Sequence, residues 1–81
     1  MSSKPRTDEE DRRLKSLGQA IRDVRKARSV SQEALAYNSG IDRSHMGKIE
    51  RGERNVTALN LLRVAKALGV PPSEIFSKAG Q

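Results

Sequence analysis

One arrangement recurs three times in this sequence and dictates most of what the chain can fold into. Ser31 is flanked by Val30 and Leu35, Asp42 by Ile41 and Met46, and Thr57 by Val56 and Leu61. Each central residue can accept a hydrogen bond from the orphan N–H groups at a helix start. Each apolar pair has the spacing of a hydrophobic staple around such a cap. Gly40, Gly52 and Gly69 then stand where a left-handed residue ends a helix. Three short helices are bracketed in this way, and no segment alternates with period two over a strand's length.

Two further helices complete the reading. Thr7-Asp8-Glu9-Glu10 has the form of a capping box, with acids in the first turn where the helix dipole favours them. Leu14, Leu17, Ile21 and Val24 follow as one apolar stripe, and this helix should fade near Arg28. Gly18 lies inside it and lowers helix stability by roughly 1 kcal/mol relative to Ala. A last short helix should run over residues 72–77, with Pro72 tolerated in its first turn. The expected fold class is all-α, five helices with short links. The 81 residues suit one small domain over 7–78, between a flexible tail at 1–6 and a C-terminal tail at 79–81.

Composition removes several function classes. Without cysteine there is no disulfide framework, thiolate zinc site or cysteine nucleophile, and a reducing cytoplasm suits the chain. No apolar run approaches the roughly 18 residues of a membrane span, and the first residues lack the hydrophobic stretch of a secretory signal. Tyr37 and Phe76 are the only aromatics, too few for a base-stacking platform, and Tyr37 reads as a packing residue with its hydroxyl at the surface. His45 has no second histidine or cysteine to share a metal with. Asp42, Ser44 and His45 carry the residue types of a hydrolytic triad but crowd one helix start and cannot converge on one atom. No cofactor, metal or enzymatic activity is expected. Residues 1–11 carry net −2 and residues 12–81 net +8, a balance that draws polyanions.

The stretch 31–52 has helix-turn-helix spacing. Ala36 is small enough for a close crossing, Gly40 allows the turn, and Leu35, Ile41, Met46 and Ile49 face a common core. On a wheel at 100° per residue, Met46 and Ile49 mark the buried side of the second helix, about residues 43–51. Ser44, Lys48 and Arg51 lie opposite with Gly47 beside them, and Arg43 and His45 flank this polar face. Arg43 and Ser44 occupy the N-terminal end that usually meets base edges. Arg bonds two guanine acceptors at once, and Ser contacts either type of base. Gly47, without a side chain, leaves room for close approach of DNA. The bland alternative is that these residues form a solvated face, as Arg22, Lys26 and Arg28 do on the first helix.

LGQAIRDVR, SQEALA, the turn glycine, KIERGERN and AKALGV together resemble the Cro/C1-type helix-turn-helix family of bacterial and phage regulators, over about residues 17–76. Within it, LAYNSGIDRS and IERGERN are also similar to controller proteins of restriction–modification systems, which bind upstream of their own gene as activator and repressor. The resemblance implies a compact lambda-repressor-like domain that binds double-stranded DNA in the cytoplasm, at the nucleoid. It implies base reading by Arg43, Ser44 and Lys48, with His45 touching base or backbone. It assigns phosphate contacts to Gln32, Arg51, Arg54 and Asn55, and a structural ion pair to Arg25 and Glu50. Leu68, Val70, Ile75 and Phe76 are either ordinary core or the surface of a homodimer that would read a pseudo-palindromic operator. No small-molecule effector is evident. Val56 replaces a frequent Pro, and Pro71 replaces a frequent Ser cap. Residues 1–16 precede the usual start and could extend the first helix, fray, or make a contact of their own. The reading from another class is a helical protein–protein module, such as an antitoxin or adaptor.

Overall fold

The structure, a computed structural model, describes residues 4–81 and consists of five helices: α1 (Asp8–Ala27), α2 (Gln32–Ser39), α3 (Arg43–Glu50), α4 (Ala58–Leu68) and α5 (Pro72–Lys78). There is no strand among the described residues. The first four starts are each made by the expected side chain. Thr7 accepts from the Glu10 N–H while its own N–H donates to Glu10 Oε1 at 2.9 Å. Ser31 accepts from Ala34, Asp42 from Ser44 and His45, and Thr57 from Asn60. Pro71 offers α5 no side-chain cap, as its side chain requires. Gly40 and Gly69 close α2 and α4 with φ near +70°, where a residue with a Cβ is strained.

α1 packs on α3 and α5, α2 packs on α3 and α4, and α4 packs on α5. Ile21, Leu35, Met46, Ile49, Val64 and Ile75 are the fully buried centre. Every staple residue belongs to this core or packs against it. The caps therefore do two things: they start helices, and they aim apolar neighbours inward.

Three expectations need correction. Tyr37 does not pack; it is 87% exposed on the outer side of α2. Leu68, Val70 and Ile75 lie in the protomer's own core, at 3%, 6% and 0% exposure. The turn after α4 brings Val70 in: its N–H donates to the Ala65 carbonyl, carrying it back under the helix it leaves. Of the four residues read as either core or dimer surface, Phe76 alone stays exposed, and Leu59 and Leu62 join it outside. The third correction concerns residues 79–81. Ala79 packs against the core, Gly80 has φ +77°, and the Gln81 side chain donates to the Arg13 carbonyl at 3.0 Å. At the other end, residues 1–3 of the expected tail lie outside the described residues, and Lys4, Pro5 and Arg6 are exposed and non-helical.

Candidate nucleic-acid interface

The orientation of α3 is set by a polar network as well as by its apolar side. Arg25 donates from Nε to Glu50 Oε2 at 2.7 Å and from Nη2 to Glu50 Oε1 at 3.0 Å. Its Nη1 donates to the Val30 carbonyl at 3.0 Å. One guanidinium thus ties the end of α1 to the entry of α2 and the end of α3. Both side chains are nearly out of water, at 10% and 3% exposure. Gln32 Nε2 donates to the same Glu50 Oε1 at 3.1 Å. A carboxylate only accepts, so the amide nitrogen must face it, and one N–H of that nitrogen is left to point elsewhere.

Backbone approach fixes the same helix from the other side. A Cβ placed on Gly18 would fall 2.6 Å from the Glu50 carbonyl oxygen and collide with that of Ile49. Gly18 is therefore the site where α1 lies against the last turn of α3. Gly52, at φ +73°, meets α1 too: a Cβ there would lie 2.6 Å from Lys15 Cα. Neither contact was foreseen. The available signal was a glycine inside α1, whose local cost had no local return.

Gly47 also differs from expectation. It is buried, and the Arg51 and Gln32 side chains cover it: a Cβ would sit 3.1 Å from Arg51 Nη1 and 3.5 Å from Gln32 Oε1. The vacancy on α3 is filled by two of the candidate phosphate ligands. Gln32, Gly47 and Arg51 form one cluster, linked through Glu50 to Arg25.

Arg43 and Ser44 are exposed at the α3 N-terminus, next to the Asp42 cap. Arg43 Nη1 lies 3.6 Å from Glu33 Oε2, with both side chains largely in water. Lys48 is half-buried. His45 is half-buried too, and its buried Nε2 has no hydrogen-bond partner. Arg51 caps α3 and donates to Glu53 from Nε at 2.8 Å and from Nη2 at 3.3 Å. That hydrogen bond pulls the Glu53 carboxyl below the usual carboxylate range and raises the Arg51 guanidinium further. Arg54 and Asn55 are exposed in the loop that follows, and Asn55 borders an apolar cleft of about 400 Å³ between α1, α4 and α5. Leu14, Leu62 and Phe76 line that cleft.

Exposed forks and hydroxyls on the start of one rigid helix, with further donors at its end and at the start of α2, suit a surface that carries phosphates and base edges. No helix among the described residues is long and apolar enough to cross a membrane.

Comparison with known proteins agrees with this geometry. A family model described as helix-turn-helix matches residues 21–75. The chain is 42% identical over 60 residues to the control protein C.BamHI of Bacillus amyloliquefaciens, covering 73% of this chain and 74% of that one. It is 39% identical over 64 residues to the control protein C.SmaI of Serratia marcescens, covering 79% and 76%. The crystal structure of the restriction-modification controller protein C.AhdI from Aeromonas hydrophila superposes with a TM-score of 0.76 at 49% identity. That match covers 78% of this chain and 96% of that one.

Proposed function

The chain belongs to the Cro/C1-type helix-turn-helix family of transcriptional regulators, and from that premise we propose that it is a homodimeric reader of a pseudo-palindromic operator on double-stranded DNA. Its likeness to control proteins extends the reading to the genes of a restriction–modification system, its own among them. In this reading it is a cytoplasmic DNA-binding protein and not an enzyme.

The observation that carries the proposal is the Arg25–Glu50–Gln32 network. It couples the start of α2 to the end of α3, so that seating Gln32 on a phosphate sets the depth and angle of α3 in the major groove. Arg43 and Ser44 then meet base edges at the helix start, with Lys48 one turn further along and His45 at the margin. Arg51, Arg54 and Asn55 follow the strand beyond. Phosphate contacts give register and salt-dependent affinity; the bases give specificity. Two copies with recognition helices about 34 Å apart would read half-sites one turn apart. Phe76, Leu59 and Leu62, with the cleft beside them, supply the apolar surface for that pairing.

Selection of the purified protein against a random duplex pool at about 0.15 M salt, where nonspecific phosphate binding is weakened, tests the proposal. An inverted repeat with one-turn spacing is the expected outcome, lost in Arg43→Ala. A pool that stays random with folded protein overturns it and directs the search to a protein partner.

A further inference from the structure

The Arg51–Glu53 pair has a consequence for how strongly this surface holds DNA. Arg51 offers a phosphate its planar fork, the Nε and Nη2 edge that matches two oxygens at once. In the free protein that same edge is occupied by the two Glu53 oxygens. The carboxylate is not there by accident of a loose loop. The Gly52 N–H donates to the Ile49 carbonyl, and the Glu53 N–H to the Lys48 carbonyl at 2.8 Å. Gly52 itself is pressed against the α1 backbone at Lys15. The turn is held from both sides, and Glu53 is delivered to Arg51 by rigid backbone. Both side chains are more than half exposed, so the pair is open to exchange with a ligand.

We infer that Glu53 sets the DNA affinity of this protein by competing with a backbone phosphate for the fork of Arg51. The inference rests on the DNA-binding reading above. A phosphate reaching Arg51 must displace the carboxylate, which is then left as an anion close to an anionic strand. The net gain at this contact is smaller than a lone arginine would give. Phosphates carry no sequence information, so the penalty falls alike on operator and random DNA. Glu53 therefore lowers occupancy at a given protein concentration without altering which bases are read. If Glu53 instead oriented Arg51 toward the strand, removing its charge would weaken binding, so the two roles differ in sign.

A double-mutant cycle separates them. Glu53→Gln, Arg51→Gln and the double variant are titrated with a fluorescent duplex of random sequence at low salt and with the selected operator. Glu53→Gln keeps the shape of an exposed side chain and is not expected to disturb folding. It should tighten binding to both duplexes about two- to fivefold, the range of a surface ion pair. It should also steepen the salt dependence by about one phosphate contact. In the Arg51→Gln background the same change should have a much smaller effect, because the competition has lost its object. Weaker binding in Glu53→Gln, no change, or an equal gain in both backgrounds would overturn the inference. The last of these would reduce Glu53 to one unit of general charge. Failure of the unaltered protein to bind any duplex would instead sink the DNA-binding reading itself.

Discussion

Gly18→Ala separates local propensity from tertiary packing, because the two predict opposite signs. In an isolated α1, alanine would be the more stable residue by roughly 1 kcal/mol. In the folded chain the added Cβ falls 2.6 Å from the Glu50 carbonyl oxygen and 2.8 Å from its carbon, against about 3.4 Å for ordinary contact. The atoms it meets are backbone of the last turn of α3, with no flexible end to swing away. α1 and α3 must part by most of an ångström. Overpacking of this kind costs about 1–3 kcal/mol. The displaced residue is also Glu50, whose 2.7 Å and 3.0 Å bonds to Arg25 would stretch with it. Deducting the propensity gain leaves about 0–2 kcal/mol from overpacking alone, and the stretched bonds to Arg25 add to it, so we expect a net loss. For a domain of this size each kcal/mol moves the midpoint by about 4–8 °C. Thermal unfolding followed by circular dichroism measures it, at fixed protein concentration because the midpoint of any self-associating protein depends on concentration. A midpoint equal to or above the unaltered protein's would refute the claim that α1 and α3 touch through this glycine.

Gly47→Ala should behave in the opposite way. Its Cβ would meet only the ends of the Arg51 and Gln32 side chains, so the helix gains up to about 1 kcal/mol while DNA affinity falls as those side chains are pushed aside. A lower melting point, or unchanged affinity in a duplex titration, would contradict that placement. Glu50→Ala leaves Arg25 buried without its partner and should lower urea-unfolding stability by about 3–5 kcal/mol; a loss below about 1 kcal/mol would show the pair to be better hydrated than its burial implies. Leu62→Lys places a charge in the exposed apolar patch and should shift the sedimentation coefficient to that of a monomer with the helical signal retained. An unchanged coefficient would remove this patch from the proposed pairing, and a monomeric value for both proteins would remove the pairing itself.

What was legible in the sequence follows from the range over which each signal acts. Thr7, Ser31, Asp42 and Thr57 make their cap bonds within three residues, so the residue types alone announce the starts. Gly40 and Gly69 are likewise local. The apolar residues of α4 are another matter. Leu61, Val64, Ala65 and Leu68 form one stripe, and Leu59 and Leu62 begin a second beside it. Periodicity cannot decide between two overlapping stripes; α1, α2 and α5 do so by where they pack. Core and dimer surface stay open alternatives for Leu68 and Val70 in the sequence for that reason, since both carry the same apolar character as Leu59 and Leu62. Tyr37 looked like packing because aromatics usually find cover, yet α2 has only eight residues and its inward positions are taken by Leu35, Ala36 and Ser39. Gly18 and Gly47 have their reasons in other segments of the chain, where no window along the sequence reaches.

In the proposed function Glu50 joins the stability of the domain to the handling of DNA, and a double substitution pulls the two apart. Its two oxygens accept from Arg25 twice and from Gln32 once. The bonds to Arg25 hold α1 to α3, and the bond from Gln32 fixes the amide at the start of α2. Desolvating a charged pair is expensive, and apolar replacement of both partners is often neutral or stabilising by about 1–4 kcal/mol. Arg25→Met combined with Glu50→Leu should therefore melt no lower than the unaltered protein. The same double variant leaves Gln32 without an acceptor to orient it, and the Val30 carbonyl loses its donor. If Gln32 seats a phosphate as proposed, the variant should bind its operator more weakly and lose discrimination against random duplex, because the angle of α3 is no longer referred to that phosphate. If the double variant melts as high and reads the operator as well, the network is packing alone, and the coupling of phosphate contact to helix orientation has to be carried by the apolar contacts of Leu35, Met46 and Ile49.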